Sequence, residues 1–298
     1  MQTVPLLFDT DIGSDIDDAV ALAYLLKQPR CELLGITTVT GEPERRASLA
    51  SAVCRAAGRT DIPIHVGTEA PLLNPQRQPH ATQAEALTDE WPHANFGKEN
   101  TAVRFLQDTI RARPGELTLL TVGPLTNIAL LFALDPEIPS LLKQLVMMGG
   151  WFFSKTPDGR DREWNILCDP HAAARVFMAP IDHFKAVGID VTGQCQIPAD
   201  ECRQRFKQAG GPLAPVAAMA EVWFRDAAAI TFHDPLAAAV VFDESLCQFK
   251  PGHVEVELDG FAAGGRTLVS YDSSSQPHQL ASGVEPERFF EHYFSVVG

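Results

Sequence analysis

The order of apolar runs along this chain restricts its architecture more than any other feature. Residues 4–8 (VPLLF) read as a buried strand, and residues 17–27 (DDAVALAYLLK) as a helix with its acids in the first turn. Residues 32–39 (ELLGITTV), rich in β-branched side chains, read as a second strand. Strand, helix and strand within about 35 residues form a βαβ unit, whose parallel strands require a right-handed crossover. The alternation repeats: helix 47–57, strand 64–66, helix 101–112, strand 117–122, helix 126–134, strand 144–148, helix 170–178 and strand 184–188. The expected fold is α/β, an open, doubly wound, mostly parallel sheet with ligand chemistry at the carboxyl ends of its strands. No Gly/Ser/Pro linker and no internal repeat interrupts the pattern, so one domain over residues 1–298 is expected. Residues 198–248 read as a helical cap, and residues 254–258 with 266–271 as a terminal antiparallel hairpin.

Composition narrows the function classes. The 298 residues are 45% hydrophobic and carry a net charge of −14, which opposes binding to phosphate backbones and excludes a nucleic-acid reader. The six cysteines are scattered without a C-x-x-C pair, so free thiols are expected rather than a disulfide framework or zinc site. The first residues lack a basic segment and a cleavage site, and no apolar run approaches the roughly 20 residues of a membrane span. A cytoplasmic protein without membrane contact is the expectation.

The chemistry concentrates where the first strand ends. Asp9, Asp11, Asp15, Asp17 and Asp18 fall within ten positions. Helix capping explains one or two of them, Asp15 and Asp17, but not Asp9 and Asp11 at the end of an apolar strand. Carboxylates packed so closely repel unless a cation compensates, and hard oxygen donors suit Ca2+ or Mg2+. The spacing fits neither an EF-hand loop nor a glycine-rich phosphate loop. Downstream, Glu163-Trp164-Asn165 precedes Asp169-Pro170, and His233-Asp234-Pro235 precedes an apolar helical run. Asp169-Pro170 reads as an N-cap with proline at the first helical position. For His233-Asp234 two readings stand, a helix start or a proton-donor and metal-ligand pair. Trp164, Trp223 and Phe224 are core residues or an aromatic wall; Phe232 reads as packing.

The motif DTDIGSDIDDA resembles the opening motif of the nucleoside hydrolases, in a variant with two extra residues before the last acidic pair. TTVTG at 37–41, GPLTNIAL at 123–130, MGG at 148–150, EWN at 163–165 and HDPLA at 233–237 follow in that family's order. The resemblance implies a bound Ca2+ held by Asp11, Asp18, the Thr126 carbonyl and Asp234, and a catalysed hydrolysis of ribonucleosides. It further implies Asp11 as general base, Asp17 on the ribose hydroxyls, Glu163 and Asn165 on the 3′ and 5′ side of the sugar, and Met148 against the ribose. His233 matches the donor to the departing base, expected to titrate near pH 7, and His80 matches a second base-side histidine, with His93 as competitor. Asp9 would stand behind the ligands, and Asp15 would cap the helix. A homodimer or homotetramer is implied as well.

Two positions depart from the family pattern. Glu42 stands where Asn is usual, and is expected to add charge on the ribose 2′ side. The usual Asn between MGG and EWN has no match in residues 151–162, where Lys155, Asp158, Arg160 and Arg162 stand. Either change signals a modified or phosphorylated sugar, or local drift. A binding protein that has lost turnover is the remaining alternative.

Overall fold

The computed structural model describes residues 3–154, 161–259, 264–272 and 275–298. Among them are strands β1 (Val4–Thr10), β2 (Cys31–Thr38), β3 (Ile64–Val66), β4 (Thr118–Thr121), β5 (Gln144–Met148), β6 (Phe184–Val187), β7 (Gln196–Pro198), β8 (Ala229–Thr231), β9 (Cys247–Val256), β10 (Thr267–Ser270) and β11 (His278–Val284). Nine of these form one sheet in the order β10-β9-β11-β6-β5-β4-β1-β2-β3, while β7 and β8 pair separately. From β3 to β11 all neighbours are parallel; only β9 runs antiparallel to both β11 and β10. The expected open, doubly wound, mostly parallel sheet is the observed one.

β1 lies inside the sheet and is buried along its whole length, which a run of VPLLF permits because both faces meet apolar layers. Leu6 and Phe8 enter one core, with helices Asp17–Lys27 and Pro286–Val297; Leu7 enters the other, with helix Ala102–Ala112. From β1 the chain winds outward through β2 and β3, then returns to build β4, β5 and β6 on the opposite side. The reversal leaves a crevice between the carboxyl ends of β1 and β4, where such sheets bind ligands.

Three expectations need correction. The antiparallel pair is not terminal: β11 inserts between β9 and β6, parallel to β6, and helix Pro286–Val297 closes the chain. HQLASGV carries too few β-branched residues to advertise a strand. The cap over 198–248 is not purely helical, since β8 pairs with β7 between helices Leu213–Trp223 and His233–Val240. The helix expected at 47–57 starts earlier, at Pro43, where proline occupies the first helical turn.

Phe232, just before the His233-Asp234 pair, anchors the cap to the closing helix. Its ring is fully buried and meets Phe290 and Tyr293 at 5.3 Å and Phe289 and Phe294 at 6.3 Å, confirming its packing role. Tyr293 in turn donates its hydroxyl to the Val20 carbonyl at 3.0 Å. Phe232→Ala is expected to cost about 3–5 kcal/mol, measurable as a lowered denaturation midpoint; an unchanged midpoint would contradict this anchoring.

Candidate active site

The loop after β1 is held from below before it presents any acid to solvent. Asp9 accepts hydrogen bonds from Thr37 Oγ1 on β2 (3.0 Å) and from Asn127 Nδ2 (2.9 Å) on the helix after β4. It therefore ties three elements behind the cavity, and burial pushes its carboxyl up to about 7. Thr10 donates its hydroxyl to Asp18 and accepts from the Ile12 amide at 3.1 Å. Beneath the loop lies Arg46, entirely buried. Its guanidinium donates to the carbonyls of Gly41 (2.8 Å), Asp11, Ile12 (3.2 Å) and His80 (3.3 Å) and to Ser14 Oγ (3.0 Å).

Above this support the acids converge. One oxygen each from Asp17, Asp18 and Asp234 lie within 4.8 Å of one another, the only such ligand group among the described residues. The Asp234 amide donates to Asp17 Oδ2 at 3.0 Å, so the helix start at His233 is docked onto the first loop. Asp234 does not cap its own helix; its carboxylate faces the other acids. Burial, and then the charge of the neighbouring carboxylates, holds Asp17, Asp18 and Asp234 well above the usual carboxylate range. Asp11 is also raised by burial, opposed by the Arg46 charge and by a hydrogen bond from Gln78 Nε2. A Cβ on Gly123 would come within 2.7 Å of Asp11 Oδ1, so only glycine lets β4 end this close. Asp15 takes the Ile16 amide at 2.6 Å and is raised to about 6 by burial.

Two carboxylates about 4 Å apart repel by about 4 kcal/mol at an effective dielectric near 20, so a cluster this dense is built for a counter-charge. Three hard oxygens in mutual reach fit a divalent cation of the Ca2+ or Mg2+ type. Thr126 begins the helix after β4, but its hydroxyl donates to Asp169 Oδ2 (2.8 Å) and it does not line the cavity. Asp169 caps helix Pro170–Phe177 through the Ala172 amide (3.0 Å), so the plain capping reading of that residue holds.

The acids open into a cavity of about 500 Å3. Of the residues singled out in the sequence, Asp11, Asp17, Asp18, His80, Met148, Glu163, Asn165, His233 and Asp234 line it, as do Trp164 and Trp223; Phe224 and His93 do not. Glu163 caps helix Trp164–Cys168, accepting from the Asn165 (2.8 Å), Ile166 (3.1 Å) and Gly150 (3.1 Å) amides, and burial raises its carboxyl. Asn165 Nδ2 donates to the carbonyls of Val122 (2.7 Å) and Met148 (3.3 Å), locking the ends of β4 and β5 together. His80 stands at the mouth with 71% of its side chain exposed.

Two expectations change here. Burial pushes the His233 imidazole down to about 4, so at neutral pH it is uncharged rather than titrating, with Nδ1 2.7 Å from Thr192 Oγ1. Glu42 does not reach the sugar side of the cavity. Its carboxylate accepts from the Ala81 amide (2.8 Å) and pairs with Arg45 (3.1 Å), fastening the His80 loop. Residues 155–160, with Lys155, Asp158 and Arg160, lie outside the described residues; Arg162 does not line the cavity.

Sequence reasoning missed Arg46 and Gln78. Arg46 shares a helix face with Leu49, Ala50 and Val53, all buried, and that spacing was the available signal for a buried cation. Gln78 sits in a stretch without periodicity and offers none.

Because the folded-state carboxyl groups titrate higher than free ones, the cation-free fold binds more protons than the unfolded chain between about pH 4 and 7. Its stability is therefore expected to fall as pH rises through that window, and Ca2+ is expected to restore more stability at pH 7.5 than at 5.5. Calorimetric melting with and without chelator measures this; equal cation effects at both pH values would contradict it.

A family model described as inosine-uridine preferring nucleoside hydrolase matches residues 6–291. Uridine nucleosidase 1 of Arabidopsis thaliana is 32% identical over 272 residues, spanning 87% of this chain and 80% of that protein. The pyrimidine-specific ribonucleoside hydrolase RihA of Klebsiella pneumoniae subsp. pneumoniae is 32% identical over 286 residues, spanning 90% and 89%. Among solved structures, a purine-preferring ribonucleoside hydrolase from Gardnerella vaginalis superposes with a TM-score of 0.84 at 25% identity, over 98% of both chains. With the family motifs gathered around one acidic cavity, the chain belongs to the inosine-uridine preferring nucleoside hydrolase family.

Proposed function

We propose that this enzyme is a Ca2+-dependent hydrolase that cleaves the N-glycosidic bond of ribonucleosides to ribose and free base, with uridine-type nucleosides as preferred substrates. The observation that carries the reading is the juxtaposition of Asp17, Asp18 and Asp234 at the floor of a cavity whose walls are Met148, Glu163, Asn165 and two tryptophans. The pyrimidine preference rests on the names of the 32%-identical relatives.

Hydrolysis of such a bond passes through an oxocarbenium-like sugar and a departing base. When bound, a divalent cation at the acids supplies charge stabilisation and a water of lowered pKa. Asp18 and Asp234 are assigned as its ligands, with Asp11 on the same cavity as a third; the Thr126 carbonyl, which the family motif implies as a fourth, belongs to a residue that does not line the cavity. Asp11 is the general base, its carboxylate held between Gly123 and Gln78. Asp17, whose Oδ2 is occupied by the Asp234 amide, turns to the ribose hydroxyls. Glu163 and Asn165 hold the other hydroxyls, and Met148 packs against the ring. The surrounding carboxylates stabilise positive charge at the anomeric carbon. His233, neutral at pH 7, acts as a hydrogen-bond donor to the departing base; in the tautomer in which Thr192 donates to Nδ1, the N–H it offers is on Nε2. His80 and the aromatic pair Trp164 and Trp223 face the base.

A phosphorylated substrate is disfavoured by charge. Six carboxylates line the cavity (Asp11, Asp15, Asp17, Asp18, Glu163 and Asp234), and among the described lining residues there is no Lys or Arg. Glu42, the departure that suggested a changed sugar, is engaged with the Ala81 amide instead.

Release of reducing sugar from a panel of nucleosides and nucleotides, with and without chelator, tests the assignment. Uridine turnover abolished by chelator is expected, with Asp11→Ala lowering kcat by about 10²–10⁴-fold. Turnover of nucleotides alone, or binding without release, would overturn it.

A further inference from the structure

Gln78 is a buried amide in the cavity wall that is neither a cation ligand nor one of the sugar- or base-facing residues assigned above. Its Nε2 donates to Asp11 Oδ2, and its Oε1 accepts from the Trp164 indole Nε1 at 2.5 Å. These partners fix the amide's orientation, because an ionised carboxylate only accepts and an indole N–H only donates. The backbone around it is equally determined. The Gln78 amide donates to Gln76 Oε1 (2.8 Å), which also accepts from Thr40 Oγ1 (3.2 Å), and Gln76 Nε2 donates to the Glu69 carbonyl (2.5 Å). The segment lies on Gly41, where a Cβ would come within 2.5 Å of the Gln78 carbonyl and of Pro79. Thr40 and Glu42, on either side, are held at positive φ of 70° and 57°, a strain that persists only where surrounding contacts impose it.

We propose that Gln78 is a positioning residue that couples the aromatic lip of the cavity to the carboxylate of Asp11, a proposal that rests on Asp11 being the general base. Trp164 is 47% exposed and sits at the cavity wall, so a base leaning on its ring bears on Asp11 through one amide. The hydrogen bond from Gln78 to Oδ2 orients the Asp11 carboxylate, whose Oδ1 lies where a side chain at position 123 would stand. Losing that constraint misplaces the base in the transition state, which lowers kcat while leaving ground-state binding largely intact.

Steady-state kinetics on uridine for Gln78→Ala, Gln78→Glu, Trp164→Phe and the Gln78→Ala/Trp164→Phe double variant, beside Asp11→Ala, test this. Gln78→Ala is expected to lower kcat by about 10²-fold with KM little changed. The isosteric Gln78→Glu preserves packing but sets an acid against Asp11, and is expected to lose at least as much. Trp164→Phe keeps the ring and removes the N–H. It is expected to lose less, and to add nothing to Gln78→Ala because the two act through one contact. Wild-type kcat in either Gln78 variant beside an inactive Asp11→Ala would overturn the proposal alone, as would additive losses in the double variant. A fully active Asp11→Ala would overturn the general-base assignment and this proposal with it.

Discussion

Mutual repulsion among buried carboxylates is the constraint around which this molecule is organised. Asp11, Asp17, Asp18, Asp234 and Glu163 are each less than 7% exposed and all lie on one cavity. Water would relieve that repulsion on a surface; here the backbone must bring the charges together and keep water from separating them. The buried Arg46 charge opposes the upward shift of both Asp11 and Asp18. Its hydrogen bonds, however, go to carbonyls and a serine, not to the acids themselves. It fixes the loop's shape and leaves the carboxylates open to a second, external charge.

The sheet explains why those charges can meet. β1 ends in the crevice where strand order reverses, so its loop faces the end of β4 with no intervening strand. β5 brings Met148, and the short helix capped by Glu163 brings Asn165 to lock β4 and β5. Asp234 comes from the far side of the chain, docked by its own amide onto Asp17 and anchored from behind by the aromatic nest around Phe232. Each contact that assembles the site therefore also joins two parts of the fold.

Much of this was legible in the sequence because it follows from local pattern. The βαβ alternation and the placement of polar motifs after apolar strands gave the parallel sheet and the crevice. Five aspartates after VPLLF announced a cation site. The family motifs then named distant partners that periodicity alone would not connect. What stayed hidden depended on tertiary context. The low titration of His233 reflects burial by elements far along the chain, and Glu42 turned to the Ala81 amide because the His80 loop folds back over it. β11 was invisible because its residues pack weakly by type, and Gln78 because a single glutamine in an aperiodic loop carries no pattern.

The central claim is that Asp18 and Asp234, brought together beside Asp17, hold a divalent cation at a site completed only by the fold. Calorimetric titration of the chelator-treated protein with Ca2+ tests it directly. One ion bound per chain is expected, with affinity weakened at least about tenfold in Asp18→Asn and Asp234→Asn, the size of loss that removing a ligand's supporting partner alone can cause. Unweakened Ca2+ binding in both variants would contradict it.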